Sequence, residues 1–144
     1  MATACKRALR RVDAAVMTAG VWDYRPAMRE KLKLPKRMKP FKLLLEPTED
    51  IAAALGRVKG RRILVGFAME DHDPHAKAER KLIRKNCDLI VMNGPANVGS
   101  GDAVVELFSP QDGWSGPIRG TKAAVARKIV RRIEELAARR FSRP

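Results

Sequence analysis

The chain is poor in cysteine, in aromatic residues and in negative charge, and it has no long apolar run. Its two cysteines, Cys5 and Cys87, form neither a C-x-x-C pair nor a disulfide framework, so reduced thiols are the default. No stretch approaches the roughly 20 apolar residues that span a bilayer. Arg7, Arg10 and Arg11 interrupt the amino-terminal segment, which therefore lacks the apolar core of a secretion signal. A cytoplasmic protein with no membrane association is expected. Aromatic residues make up only 5%, too few for a platform that stacks the bases of a single strand. The spacing of a helix-turn-helix or a zinc finger is absent, which argues against nucleic acid as the partner. Nor does any Ser/His/Asp or Cys/His arrangement suggest a nucleophilic site.

What is present is positive charge. Among 144 residues, 30 Lys and Arg stand against 16 Asp and Glu, a net charge of +14. With 45% hydrophobic residues the chain can bury one core, so residues 1–144 are read as a single domain. Such an excess implies an anionic partner: nucleic acid, a membrane surface or a phosphorylated small molecule. Charge alone leaves all three open.

Hydrophobic patterning predicts alternating helices and strands. A short amphipathic helix precedes Asp13, and Asp13 to Ala19 reads as a buried strand. Gly20 to Pro40 carries Pro26, Pro35 and Pro40 and is expected to be irregular, with a basic patch from Arg25 to Lys39. Phe41 to Leu45 suggests a second strand, followed by a helix from Pro47 to Leu55 that stops at Gly56. Arg62 to Phe67 is the clearest strand. Asp73 and Pro74 then open a helix running to Asn86, and Cys87 to Met92 forms the next strand. Asn93 to Asp102 is a turn-rich loop, Ala103 to Phe108 a strand, and Ser109 to Gly120 a hairpin candidate. Thr121 caps a last helix with Val125, Ile129, Ile133 and Leu136 on one face. This order predicts an α/β fold, a Rossmann-like layered sheet that is mostly parallel. Sheets of this kind bind ligands beyond the carboxyl ends of their strands. The loops leaving those ends start at Gly20, Ala68 and Asn93; the first is basic, the second acidic and the third glycine-rich. Positive groups beside a few carboxylates suit a metal-complexed phosphate.

Four segments carry a resemblance. They are Ala19-Gly-Val-Trp-Asp-Tyr-Arg-Pro26, Lys31-Leu-Lys33, Leu64-Val-Gly-Phe-Ala-Met-Glu70 and Arg84-Lys-Asn-Cys-Asp-Leu-Ile-Val-Met-Asn93. In this order and spacing they resemble the carboxyl-terminal part of phosphopantothenoylcysteine synthetase, or phosphopantothenate–cysteine ligase, usually half of a bifunctional coenzyme A biosynthesis protein. The resemblance implies CTP-dependent ligation of 4′-phosphopantothenate to cysteine through an acyl-CMP intermediate, with Mg²⁺ accompanying CTP, in a homodimer. By position it makes Lys31 the catalytic lysine that contacts the triphosphate, with Lys33 assisting. Asp23 becomes the acid at the ribose near the metal-triphosphate. Ala19 and Phe67 hold the base by backbone contacts and packing. The family's glycine-rich turn, and an asparagine that handles the acyl intermediate, would precede Met1. The domain is therefore expected to be incomplete at its amino terminus and to lack its first strand-helix units. Pairing between copies is expected at the exposed sheet edge or in the region after Asp102. Leu34 stands where the family has a third lysine, and Gly20 and Trp22 replace its more typical residues.

Plainer readings stand beside these. The lysines can form a solvated basic loop, Asp23 can pair with Arg25 or serve as a turn residue, and Phe67 can be core packing. The cluster from Glu70 to His75 gathers carboxylates and histidines, but Asp73 and Pro74 already account for it as a helix start, and no metal site is assigned. The cations of the last helix, Lys122 to Arg143, read as a solvated outer face. The alternative function is a non-catalytic basic binding module, either a family remnant or a nucleic-acid binder.

Overall fold

The computed structural model describes residues 1–36, 38–70 and 72–142 and divides the chain into two compact units, one of residues 1–18 and 51–144, the other of residues 19–50. In the larger unit a sheet runs β1 (Ala14–Met17), β4 (Ile63–Met69), β5 (Leu89–Asn93) and β6 (Asp102–Ser109). Both β7 (Gly113–Trp114) and β8 (Ile118–Thr121) pair with β6. In the smaller unit β2 (Tyr24–Pro26) and β3 (Leu45–Pro47) form an antiparallel ribbon.

Strands β1, β4 and β5 are parallel, with Met17 opposite Gly66 and Phe67 opposite Val91. From β6 onward the pairing is antiparallel. The α/β layered fold is as expected, and the segment after Ser109 supplies the added antiparallel strands. Strand β4 and residues Leu89 to Met92 of β5 are apolar because both faces are covered. On one face Ile63, Val65, Leu89 and Val91 meet Val125, Ile129, Ile133 and Leu136 of α4 (Lys122–Phe141). On the other, Leu64, Ala68, Ile90 and Met92 meet Leu9 of α1 (Ala2–Leu9), Ile51 and Leu55 of α2 (Ile51–Val58), and Ala78 and Leu82 of α3 (Pro74–Lys85). Fully burying such side chains stabilises by about 1.5–3 kcal/mol each. Thr121 caps α4 as expected, its hydroxyl accepting from the Ala124 amide at 3.2 Å. Among the described residues β1 pairs with β4 alone and forms an edge of the sheet.

Several local expectations need correction. The strand expected at Phe41–Leu45 begins only at Leu45 and joins the small ribbon rather than the main sheet, because its partner is Tyr24–Pro26 within the segment expected to be irregular. Gly56 does not stop α2 but lies buried inside it. A Cβ there would sit 1.9 Å from the Lys85 carbonyl oxygen, so the glycine lets α2 approach the end of α3. Asp73 precedes α3 without capping it: its backbone is left-handed (φ 47°) and its side chain makes no cap hydrogen bond. Asn86 ends α3 in the left-handed region (φ 50°) and donates its side-chain amide to the Gly56 carbonyl at 2.8 Å.

The outer face of α4 is also not wholly solvated. Arg140 reaches Asp88 at 2.6 Å, and Arg139 reaches Asp112 at 2.8 Å. Arg132 pairs with Asp112 and, at 2.7 Å, with Glu135. Arg143, included in that reading, lies outside the described residues.

Candidate functional site

In a parallel sheet the strand order brings carboxyl ends together, and β4 and β5 end side by side at Met69 and Asn93. Beyond them lies a cleft of about 280 Å³ lined by Glu70, Pro74, Asn93, Asn97 and Glu106 among others. Asn97 fixes its far wall. Its side chain accepts from the Val104 amide at 3.0 Å and donates to the Val104 carbonyl at 2.9 Å, imitating a strand partner for β6. The two carboxylates in the lining are held from α3: Glu70 accepts from Lys81 at 2.6 Å, and Glu106 lies 3.1 Å from the His75 imidazole. His75 in turn stands edge-on to Trp114, 4.3 Å between ring centroids. These polar groups converge because the antiparallel pairing of β6 with β5 sets Glu106 opposite Met92. That pairing is non-local, and in the sequence only the acidic loop from Ala68 and the glycine-rich loop before β6 signal the cleft.

The residues singled out from sequence fall in both units. Phe67 lies on β4, half-buried and packed on the α4 side of the sheet. The packing reading therefore holds for part of its ring, and the remainder is accessible. Ala19, Asp23, Lys31 and Lys33 all belong to residues 19–50 and are exposed. There the ribbon is closed by backbone bonds: Thr48 donates its amide to the Asp23 carbonyl at 2.8 Å, and Ala27 to the Leu44 carbonyl at 2.9 Å. The Thr48 hydroxyl donates to the Trp22 carbonyl.

This ribbon removes one plain reading of Asp23, the pair with Arg25, and keeps the other, since the chain bends at Asp23. Arg25 is opposite Glu46 in register, and its guanidinium is 2.7 Å from the Glu46 carboxylate. The Asp23 carboxylate therefore does not pair with Arg25. Among the described residues it has no ion-pair partner, and neither has Lys31 or Lys33. An unpaired carboxylate and unpaired ammonium groups in one small unit leave both signs of charge available to a ligand. Arg37, in the same basic loop, lies outside the described residues.

In the fourth sequence segment Asn93 lines the cleft, while Asp88 is structural. Asp88 is buried before β5, where it accepts from Lys59 and Arg140, each at 2.6 Å, and from the Leu64 amide at 2.7 Å. Burial pushes its carboxyl up, but the hydrogen bonds from Arg140, Lys59 and Leu64 outweigh this and hold it below the usual range. Arg140 also donates to the Arg62 carbonyl at 3.1 Å, so this one cluster ties α4 to the start of β4. It lies at the amino ends of the strands, away from the cleft.

No described group of three or more His, Cys, Asp or Glu side chains could hold a metal ion. This includes Glu70 to His75, apart from Asp71, which lies outside the described residues. Among the described residues no helix is long and apolar enough to cross a membrane.

Comparison with known proteins places this architecture. The family described as the DNA/pantothenate metabolism flavoprotein C-terminal domain matches residues 1–136. A protein named cysteine/cysteine sulfinic acid decarboxylase, from an unknown prokaryotic organism, is 40% identical over 92% of this chain and 38% of its own length. The coenzyme A biosynthesis bifunctional protein CoaBC of Bacillus subtilis is 40% identical over 67% of this chain and 25% of its own. The crystal structure of the C-terminal domain of a CoaBC protein superposes with a TM-score of 0.72 at 31% identity, covering 94% of this chain and 60% of that one. The chain thus spans between a quarter and two fifths of these curated relatives. The matches bear out the resemblance carried by the four sequence segments: the chain belongs to the DNA/pantothenate metabolism flavoprotein C-terminal domain family.

Proposed function

We propose that this chain supplies the nucleotide-handling part of a phosphopantothenate–cysteine ligase acting in coenzyme A biosynthesis. The observation that carries the reading is the pairing of Arg25 with Glu46, which leaves Asp23, like Lys31 and Lys33, without an ion-pair partner among the described residues. In the proposed reaction a carboxylate oxygen of 4′-phosphopantothenate attacks the α-phosphorus of CTP, releasing pyrophosphate and forming acyl-CMP. The amine of cysteine then attacks the acyl carbon and releases CMP. Negative charge builds on the departing pyrophosphate, where lysines placed in advance are most effective. Lys31 contacts the triphosphate and Lys33 adds to the local potential. Both are exposed, as a loop that folds over an incoming ligand requires.

Ala19 serves the base through its backbone. Mg²⁺ fits as a companion of the triphosphate rather than as a resident ion. It keeps several waters and binds through one or two carboxylates plus substrate phosphates. Asp23, without an ion-pair partner among the described residues, is a carboxylate suited to that task. When bound, the ion neutralises triphosphate charge.

A second copy of the chain completes the proposal. Residues 19–50 expose Trp22, Leu32, Met38 and Leu44 at 75–90% of their surface, and β1 is an edge of the sheet among the described residues. Both features favour a homodimer.

Calorimetric titration with CTP–Mg²⁺ tests the site. Asp23→Asn and Lys31→Gln each remove a charge-assisted contact of about 1.5–3 kcal/mol, so each weakens binding at least tenfold. Equal binding by the wild type and both variants would sink the reading.

A further inference from the structure

A second cavity lies between α4 and the antiparallel end of the sheet. Its volume is about 260 Å³. Leu89, Leu107 and Ile118 form an apolar floor, of which Leu89 and Leu107 belong to the buried core. Lys128 and Arg131, one helical turn apart on α4, contribute charge to the lining.

The charges in this cavity are not balanced. Its two carboxylates, Asp112 and Glu135, are already committed. Arg132 pairs with both of them, and Arg139 reaches Asp112 at 2.8 Å. The Ser109 hydroxyl, almost completely buried, also donates to Asp112 at 2.8 Å. Hydrogen bonds from Arg139 and Ser109 hold the Asp112 carboxyl below its usual range, so it stays ionised and bound to its arginines. Lys128 and Arg131 have no ion-pair partner among the described residues. The result is an apolar pocket carrying two uncommitted cations.

We propose that this cavity binds a small organic carboxylate, its compact apolar group on the Leu89, Leu107 and Ile118 floor and its carboxylate between Arg131 and Lys128. The guanidinium fork of Arg131 suits the two oxygens of a carboxylate, and Lys128 adds a point charge. Ligand pockets usually start near 300 Å³, so the occupant is smaller than a nucleotide. The site is separate from the cleft at the carboxyl ends of β4 and β5 and does not depend on the ligase reading.

Benzoate is a suitable probe, with benzyl alcohol as its uncharged counterpart. Both are titrated into the ¹⁵N-labelled full chain and followed by amide chemical shifts. Benzoate is expected to give saturable shifts centred on Gly113, Ser115 and Lys128, with benzyl alcohol at least tenfold weaker. The double variant Lys128→Gln, Arg131→Gln changes exposed side chains only, and its amide spectrum reports that the fold persists. It is expected to lose at least tenfold in benzoate affinity. Equal binding of the alcohol, equal binding by the double variant, or shifts gathered on residues 19–50 would each overturn the proposal.

Discussion

Replacing Asp88 by alanine deletes one side chain and strands three donors. Lys59 is only 6% exposed, so water cannot take over the carboxylate's role, and its ammonium group becomes a buried charge without its 2.6 Å partner. The Leu64 amide loses its acceptor at the start of the central strand, and Arg140 keeps only backbone carbonyls. Breaking a buried ion pair from one side costs about 3–5 kcal/mol, a large part of the stability of a domain this size. Urea denaturation followed by circular dichroism should show the midpoint falling with the slope unchanged. Lys59→Met is the informative companion, because it leaves Asp88 with Arg140 and the Leu64 amide and puts an apolar side chain in the buried place. Its cost should be smaller than that of Asp88→Ala, because the carboxylate that stays buried keeps two donors. Acid supplies an independent readout. Because the Asp88 carboxyl is lowered from 3.8 on folding, its contribution is present above that value and lost as pH falls through the folded-state value. Asp88→Asn should therefore flatten the fall in stability below pH 3.8. An alanine variant that loses less than about 1 kcal/mol would refute the reasoning.

Gly56→Ala raises intrinsic helix propensity by about 1 kcal/mol, yet it should destabilise. The new methyl group would sit 1.9 Å from a backbone carbonyl oxygen, and overpacking of this kind costs about 1–3 kcal/mol or more; thermal unfolding with a higher melting temperature would contradict this. Thr121→Ala removes the cap of α4 and should cost about 1 kcal/mol by the same denaturation assay, with Thr121→Ser restoring most of it. Sedimentation should show a dimer of the full chain that weakens when Trp22 and Leu44 are replaced by serine. A monomer at every concentration would remove the homodimer from the account.

Much of the fold was legible because it rests on local patterns. Ile63 to Phe67 and Leu89 to Met92 are continuous apolar runs, which is how a strand covered on both faces must read. The helix at Pro74–Lys85 was bounded by a proline at its start and an asparagine at its end. What stayed hidden depends on distant partners. Phe41 to Leu45 has the apolarity of a core strand, but the register with Tyr24–Pro26 places only Leu45 in a strand. Gly56 reads as a stop unless the carbonyl of Lys85 is known to lie against it. Arg132, Arg139 and Arg140 look like surface charge until Asp88 and Asp112, remote in sequence, come within reach. In the candidate site, the residue types and their order were readable as family segments. The choice of Glu46 over Asp23 as the partner of Arg25 required the ribbon's register.

The claim at the centre of this account is that Asp23 and Lys31 meet a metal-complexed triphosphate. Equilibrium dialysis of CTP against the full chain, with and without Mg²⁺, tests it most directly. The account predicts that Mg²⁺ strengthens binding to the wild type, that Asp23→Asn loses this Mg²⁺ dependence, and that Lys31→Gln binds at least tenfold more weakly under both conditions. Binding that ignores Mg²⁺ and both substitutions would contradict it.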